Sequence, residues 1–172
     1  MSLSWSQSST DYSISGTSPA TLTKSTGTNW TNYCYTASTF GNFTADNIVA
    51  SSDTIAIGVT DPAQLQSGDK DESSLRYGLY RKGGPEWRVV VNGSGIPSTD
   101  TSGTTGKIVF DGTDVKFYVD NVEIHSHTAT VTSGLYGYGA VYYSGEDVTI
   151  ALTATVTPSG DTLLFPPPVA YI

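Results

Sequence analysis

The sequence has one cysteine, Cys34, so no disulfide can form within it, and 172 residues must be held by packing alone. It is also poor in charge. Asp, Glu, Lys and Arg make up 14% of the chain, with 8 basic residues against 16 acidic ones and a net charge of −8. Lys and Arg cluster nowhere, which argues against nucleic acid and anionic membrane surfaces as partners. No apolar run reaches the roughly 18 residues that a membrane-spanning helix needs. Few windows carry the 3.6-residue periodicity of an amphipathic helix. Glutamate is scarce too: Glu72, Glu86, Glu123 and Glu146 stand far apart.

What the chain has in quantity is hydroxyl. Ser and Thr supply about a quarter of it, far from a usual cytosolic balance. Such a surface is solvated but weakly charged, as on extracellular and virion proteins. The N-terminal Met1-Ser-Leu-Ser-Trp-Ser-Gln has neither a basic region nor an apolar run, so no secretory leader is expected. Synthesis in a host cytoplasm followed by display on a virion surface fits both facts. An extracellular fragment of a larger secreted protein fits them too. Cys34 lies between Tyr33 and Tyr35, where a small buried hydrophobe is expected rather than a reactive thiol.

The pattern throughout is that of short strands with frequent turn signals. Gly106 to His125 reads as a three-strand meander reversing at Asp111-Gly112 and Asp120-Asn121, dipeptides that tolerate the positive φ of a tight hairpin. Val115, Phe117 and Val119 alternate with Lys116, Tyr118 and Asp120, the period of a half-buried strand. Further strands are expected within Leu3–Ile14, in an aromatic-rich pair over Asn29–Phe43 broken at Gly41-Asn42, and at Thr54–Thr60, Leu75–Arg81, Trp87–Asn92, Gly134–Tyr143 and Asp147–Val156. Polar loops are expected over 63–74 and 92–106. The whole predicts an all-β antiparallel sandwich over 1–157 as a single domain. Pro166-Pro-Pro168 then marks residues 158–172 as an extended C-terminal arm, which would dock its apolar residues on a neighbouring subunit.

In order, Ile55-Ala-Ile-Gly-Val59, Arg76-Tyr-Gly-Leu-Tyr80, Trp87-Arg-Val-Val-Val-Asn-Gly93, Gly106–Phe110 and Val115–Ile124 resemble the concanavalin A-like jelly roll of laminin-G, SPRY and lectin domains, of the kind found in phage fibre or surface proteins. Asp120-Asn121 stands where that family usually has Asn-Gly. The resemblance implies a two-sheet sandwich able to carry a groove on one sheet. Enzymes of this fold that cut β-glucans carry a Glu-x-Asp-x-x-Glu strand, and no pair of glutamates here has that spacing. There is also no Gly-x-Ser-x-Gly elbow. A non-enzymatic protein is therefore expected.

Three sets of residues are candidates for binding. Tyr136, Tyr138 and Tyr142 fall on one face of a strand whose intervening residues include glycine, and with Tyr80, Trp87 and Arg76 they could form an aromatic platform for a sugar ring. Core or subunit interface is the competing reading of the same rings. His125 and His127 share a strand face, so three chains around an axis could join them in a transition-metal site, whereas one chain offers too few ligands. Asp69, Asp71 and Glu72 form an acidic loop with oxygen ligands for Ca²⁺, diluted by Lys70. Otherwise no cofactor is expected. Asn29, Asn42 and Asn92 begin glycosylation sequons that have no role without secretion.

These readings combine into a virion surface protein (a fibre, decoration or receptor-binding protein) that is a homo-oligomer, a trimer by preference, or is assembled with other virion proteins, and that binds a host cell-surface glycan. The alternatives are a carbohydrate-binding module of a secreted polysaccharide-active protein and a purely structural, capsid-stabilising protein.

Overall fold

Alternation of bulky apolar residues with small or polar ones makes strands of more than half of the described residues. The computed structural model describes residues 3–51, 53–65, 71–130 and 134–156. The arm expected over 158–172 lies outside them, as does Asp69. In chain order the first strands are β1 (Trp5–Gln7), β2 (Tyr12–Gly16), β3 (Ala20–Lys24), β4 (Cys34–Thr36), β5 (Phe40–Ala50) and β6 (Thr54–Thr60). A short helix α1 (Pro62–Leu65) and a 3₁₀ turn (Glu72–Ser74) precede β7 (Tyr77–Lys82), β8 (Glu86–Val91) and β9 (Ser94–Ser102). The rest are β10 (Thr105–Phe110), β11 (Asp114–Val119), β12 (Val122–Thr128), β13 (Tyr136–Val141) and β14 (Asp147–Val156).

Two seven-stranded antiparallel sheets face each other, one ordered β1-β4-β13-β6-β7-β8-β9 and the other β12-β11-β10-β5-β14-β3-β2. Leu22, Ile48, Ile108, Phe117 and Ile150 from the second sheet meet Ile55, Ile57, Leu79, Trp87 and Val89 from the first in one core. Cys34 is part of it, fully buried, and burial pushes its thiol up to about 12, so it stays protonated and inert, as expected.

The meander forms as predicted. β10 pairs with β11 and β11 with β12, and Asp120 and Asn121 take φ of 48° and 65° at the second reversal. The Asp120 carboxylate accepts bonds from the backbone and hydroxyls of Thr104 and Thr105, which hold its pKa down to about 2. Thr54–Thr60 and Asp147–Val156 are strands with the expected bounds.

Elsewhere the expectation needs correction. Most of 92–106 is not loop, because Ser94–Ser102 is edge strand β9 paired with β8. Its outward residues are polar and Thr99 is its one buried side chain, so no apolar alternation announces it. β5 runs straight through Gly41-Asn42, and β3, whose buried Ala20, Leu22 and Lys24 alternate with Thr21 and Thr23, was not anticipated. Leu3–Ile14 divides into β1 and β2, which lie in different sheets.

The central strands of the first sheet, β6 and β13, are buried on both faces. In β13 all six residues are buried. Gly137 and Gly139 face the core, where a Cβ on Gly139 would come within 2.5 Å of Leu22 and 3.0 Å of Ile57. Tyr136, Tyr138 and Ala140 therefore face outward, where Tyr138 packs with Ala56, Leu75, Tyr80 and Val90 beneath Trp30 and Tyr33. The glycines bring the sheets together; they do not open space between the rings. Gly139→Ala overpacks this contact and is expected to cost about 1–3 kcal/mol, read as a lower midpoint in urea unfolding with an unchanged slope.

Candidate functional site

The outer face of the first sheet carries an aromatic ledge beside a polar recess. Trp30 sits in the turn between β3 and β4. Lys24, fully buried at the end of β3, reaches into that turn and donates from Nζ to the Asn29 carbonyl at 2.6 Å and to its Oδ1 at 3.1 Å. The Asn29 amide donates in turn to the Tyr142 carbonyl at 3.2 Å. Asp11 secures the same turn by accepting from Thr26 Oγ1 at 3.0 Å and from Asn32 Nδ2. Burial lowers the Lys24 pKa, and the Tyr12 ring 5.6 Å from its ammonium offsets part of that cost.

So held, Trp30 lies 5.3 Å from Tyr142 and 6.2 Å from Tyr80, and Tyr143 meets Tyr142 edge-on at 4.9 Å. Trp30 and Tyr142 are half-buried and Tyr143 is 45% exposed. These are rings with solvent-facing surface on anchored backbone.

The recess adjoins Tyr80. It encloses about 130 Å³ and is lined by Tyr80, Gly83, Gly84, Glu86, Arg88 and Asp100. Arg88 on β8 and Asp100 on β9 form a two-pronged pair, Nε to Oδ1 at 2.6 Å and Nη2 to Oδ2 at 2.5 Å. The pairing raises the Arg88 pKa and lowers that of Asp100. Tyr80 is almost wholly buried, with the carboxylate of Glu72 near its hydroxyl. Burial and the neighbouring Asp71 raise the Glu72 pKa.

The expected platform is thus divided. Tyr80 and Tyr142 come together at the ledge, but Trp87 points the other way, into the core, with Nε1 donating to the Gly103 carbonyl at 3.1 Å and the Arg81 guanidinium 4.0 Å from its ring. Tyr136 and Tyr138 share the outer face with Tyr80, yet both are covered. Tyr138 is stacked on Tyr33 at 5.5 Å, and uncovering it for a ligand would forfeit about 2–3 kcal/mol of burial. Arg76 precedes β7, where it donates to Thr130 Oγ1 at 2.6 Å and sits 3.5 Å from Asp61, outside the recess. Trp30, Tyr143 and Asp100 were not anticipated. A tryptophan set among turn-forming residues, Gly27-Thr-Asn-Trp-Thr-Asn32, was the available sign of an exposed ring.

Asp69 of the acidic loop lies outside the described residues. Among the described residues no three His, Cys, Asp or Glu side chains gather as they would around a metal. Asp71 caps the 3₁₀ turn by accepting from the Ser73 amide at 2.9 Å. His125 and His127 lie on edge strand β12 with rings 6.5 Å apart, His125 against Phe117 at 6.0 Å and His127 against Tyr77 at 6.2 Å. Their Nε2 atoms are buried and have no hydrogen-bond partner.

No protein-family model matches the chain, and no curated protein does. Solved structures do match. The PSpry domain of TRIM65 is 15% identical with a TM-score of 0.63, over 87% of this chain and 89% of that one. A Bacillus licheniformis β-glucanase is 12% identical with a TM-score of 0.53, over 88% and 91%. The carbohydrate-binding module CBM66 from Bacillus subtilis is 10% identical with a TM-score of 0.50, over 87% and 92%. The fold is the concanavalin A-like jelly roll that the order of motifs implied. Because it serves an enzyme as well as a binding module, function has to be argued from the site.

The histidines generate a pH prediction. Burial, then the charge of His127, lowers the His125 pKa in the folded chain. As pH falls through about 6.5 the unfolded chain takes up a proton that the folded one resists, so stability present above that pH is lost below it. The melting temperature is expected to fall between pH 7 and pH 5, and His125→Phe, packed on Phe117, is expected to flatten that slope.

Proposed function

We propose that this chain is a non-catalytic carbohydrate-recognition module that binds sugar across the Trp30–Tyr142–Tyr143 ledge and the recess beside Tyr80. The observation that carries the reading is the juxtaposition of solvent-facing rings with convergent polar groups on a rigid sheet. The C–H face of a pyranose stacks on a ring, and its hydroxyls bond to Glu86, Arg88 and Asp100 at the edge. The likeness to a carbohydrate-binding module supports this reading at the level of the fold. Catalysis is disfavoured by the recess itself, where Asp100, one of its two described acidic lining residues, is paired with Arg88.

The hydroxyl-rich, weakly charged composition supports action outside a cell. It suits display on a virion surface, as a fibre, decoration or receptor-binding protein, and it equally suits a module of a secreted polysaccharide-active protein. Light scattering separates these, since an oligomer, with a trimer preferred, fits the fibre and a concentration-independent monomer fits the module.

Trp30→Ala and Tyr142→Ala are each expected to weaken binding to a retained neutral glycan by about tenfold or more, measured by calorimetry, and Trp30→Ala is also expected to lower the melting temperature because part of its ring covers the Tyr80 cluster. Unchanged affinity in both variants would rule the ledge out.

A further inference from the structure

We infer that the recess selects sugars carrying no acidic substituent and rejects carboxylated, sulfated or phosphorylated ones. The inference rests on the carbohydrate reading of this site and adds the ligand's charge class.

A site for anionic sugars is best built on a cation whose bidentate edge is free. The one guanidinium among the described lining residues has that edge already taken. Arg88 spends Nε and Nη2 on the two oxygens of Asp100, at 2.6 and 2.5 Å, the fork geometry in which arginine would otherwise seize a carboxylate or sulfate. The other charged side chains described along its lining are acidic. Glu86 lines the wall with Asp100, and Glu72 lies behind Tyr80 with Asp71 next to it. Two carboxyl groups, Glu86 and Asp100, therefore share the recess with one neutralised cation, inside a chain of net charge −8. An acidic substituent entering here meets like charge and would have to displace Asp100 from Arg88, leaving that carboxylate unpaired. A hydroxyl or amine has the opposite fortune, because the free lone pairs of these carboxylates accept from any donor it brings. The recess is an array of acceptors awaiting donors.

The test uses the full chain and matched probes. A neutral glycan retained on an array is compared by calorimetry with its own sulfated and carboxymethylated derivatives in about 150 mM salt. The expected result is that the acidic derivatives bind at least about tenfold more weakly, and that raising the salt to about 500 mM narrows the gap, since screening acts on charge and not on shape. Glu86→Gln combined with Asp100→Asn, both at exposed positions, frees Arg88 and is expected to bring the acidic derivatives to near parity. Equal or tighter binding of the acidic derivatives by the unmodified chain overturns the inference and leaves the carbohydrate reading standing, as does a gap that persists unchanged in high salt and in the double variant. Retention of no glycan of any charge overturns the carbohydrate reading itself, and the inference with it.

Discussion

One constraint governs this molecule: the central strands of its first sheet must bury both faces. β6 is buried along its whole length and β13 likewise. A sheet in that position needs side chains on one face and close approach on the other, and β13 supplies both by alternating tyrosine with glycine. Gly137 and Gly139 let Leu152 and Leu22 of the second sheet come up against the strand backbone. The tyrosines are then forced outward, where they need a cover of their own. Tyr33 and Leu75 provide it over Tyr138, and Trp30 completes the cover at the edge.

The candidate site is where that cover ends. Trp30 is part lid and part exposed surface, and its position depends on Lys24, a charge the core accepts only because Asn29 and Tyr12 satisfy it. A buried ammonium binding two oxygens of one turn is a stiff anchor. The same turn is tied to the end of β13 through Asn29 and the Tyr142 carbonyl, so Trp30 and Tyr142 are set relative to each other by backbone bonds and not by side-chain packing alone. Preorganised rings lose little entropy when a ligand arrives, which suits recognition of a weakly interacting molecule such as a sugar.

The two histidines show how the same periodicity can carry either of two meanings. Their spacing correctly placed both rings on one face of a strand. Which face that was depended on the partner sheet, and β12 turns it toward Phe117 and Tyr77, so the pair belongs to the sandwich edge. The Tyr-Gly alternation behaved likewise. Its period was plain, but whether rings or glycines met water depended on a covering turn some hundred residues earlier in the chain.

Local chemistry alone therefore determined the strands with strong alternation, the two tight reversals at Asp111-Gly112 and Asp120-Asn121, the jelly-roll order of motifs and the inert Cys34. Each is written in side-chain size and backbone preference over a few neighbouring residues. The polar edge strand β9, the reversal of Trp87 into the core and the meeting of Trp30 with Tyr80 and Tyr142 were decided only by tertiary structure. They arise because a sheet has two faces and a two-residue period cannot say which one another segment will cover. The pairing of Arg88 with Asp100 is of the same kind, since it required β8 and β9 to lie side by side before either charge had a partner.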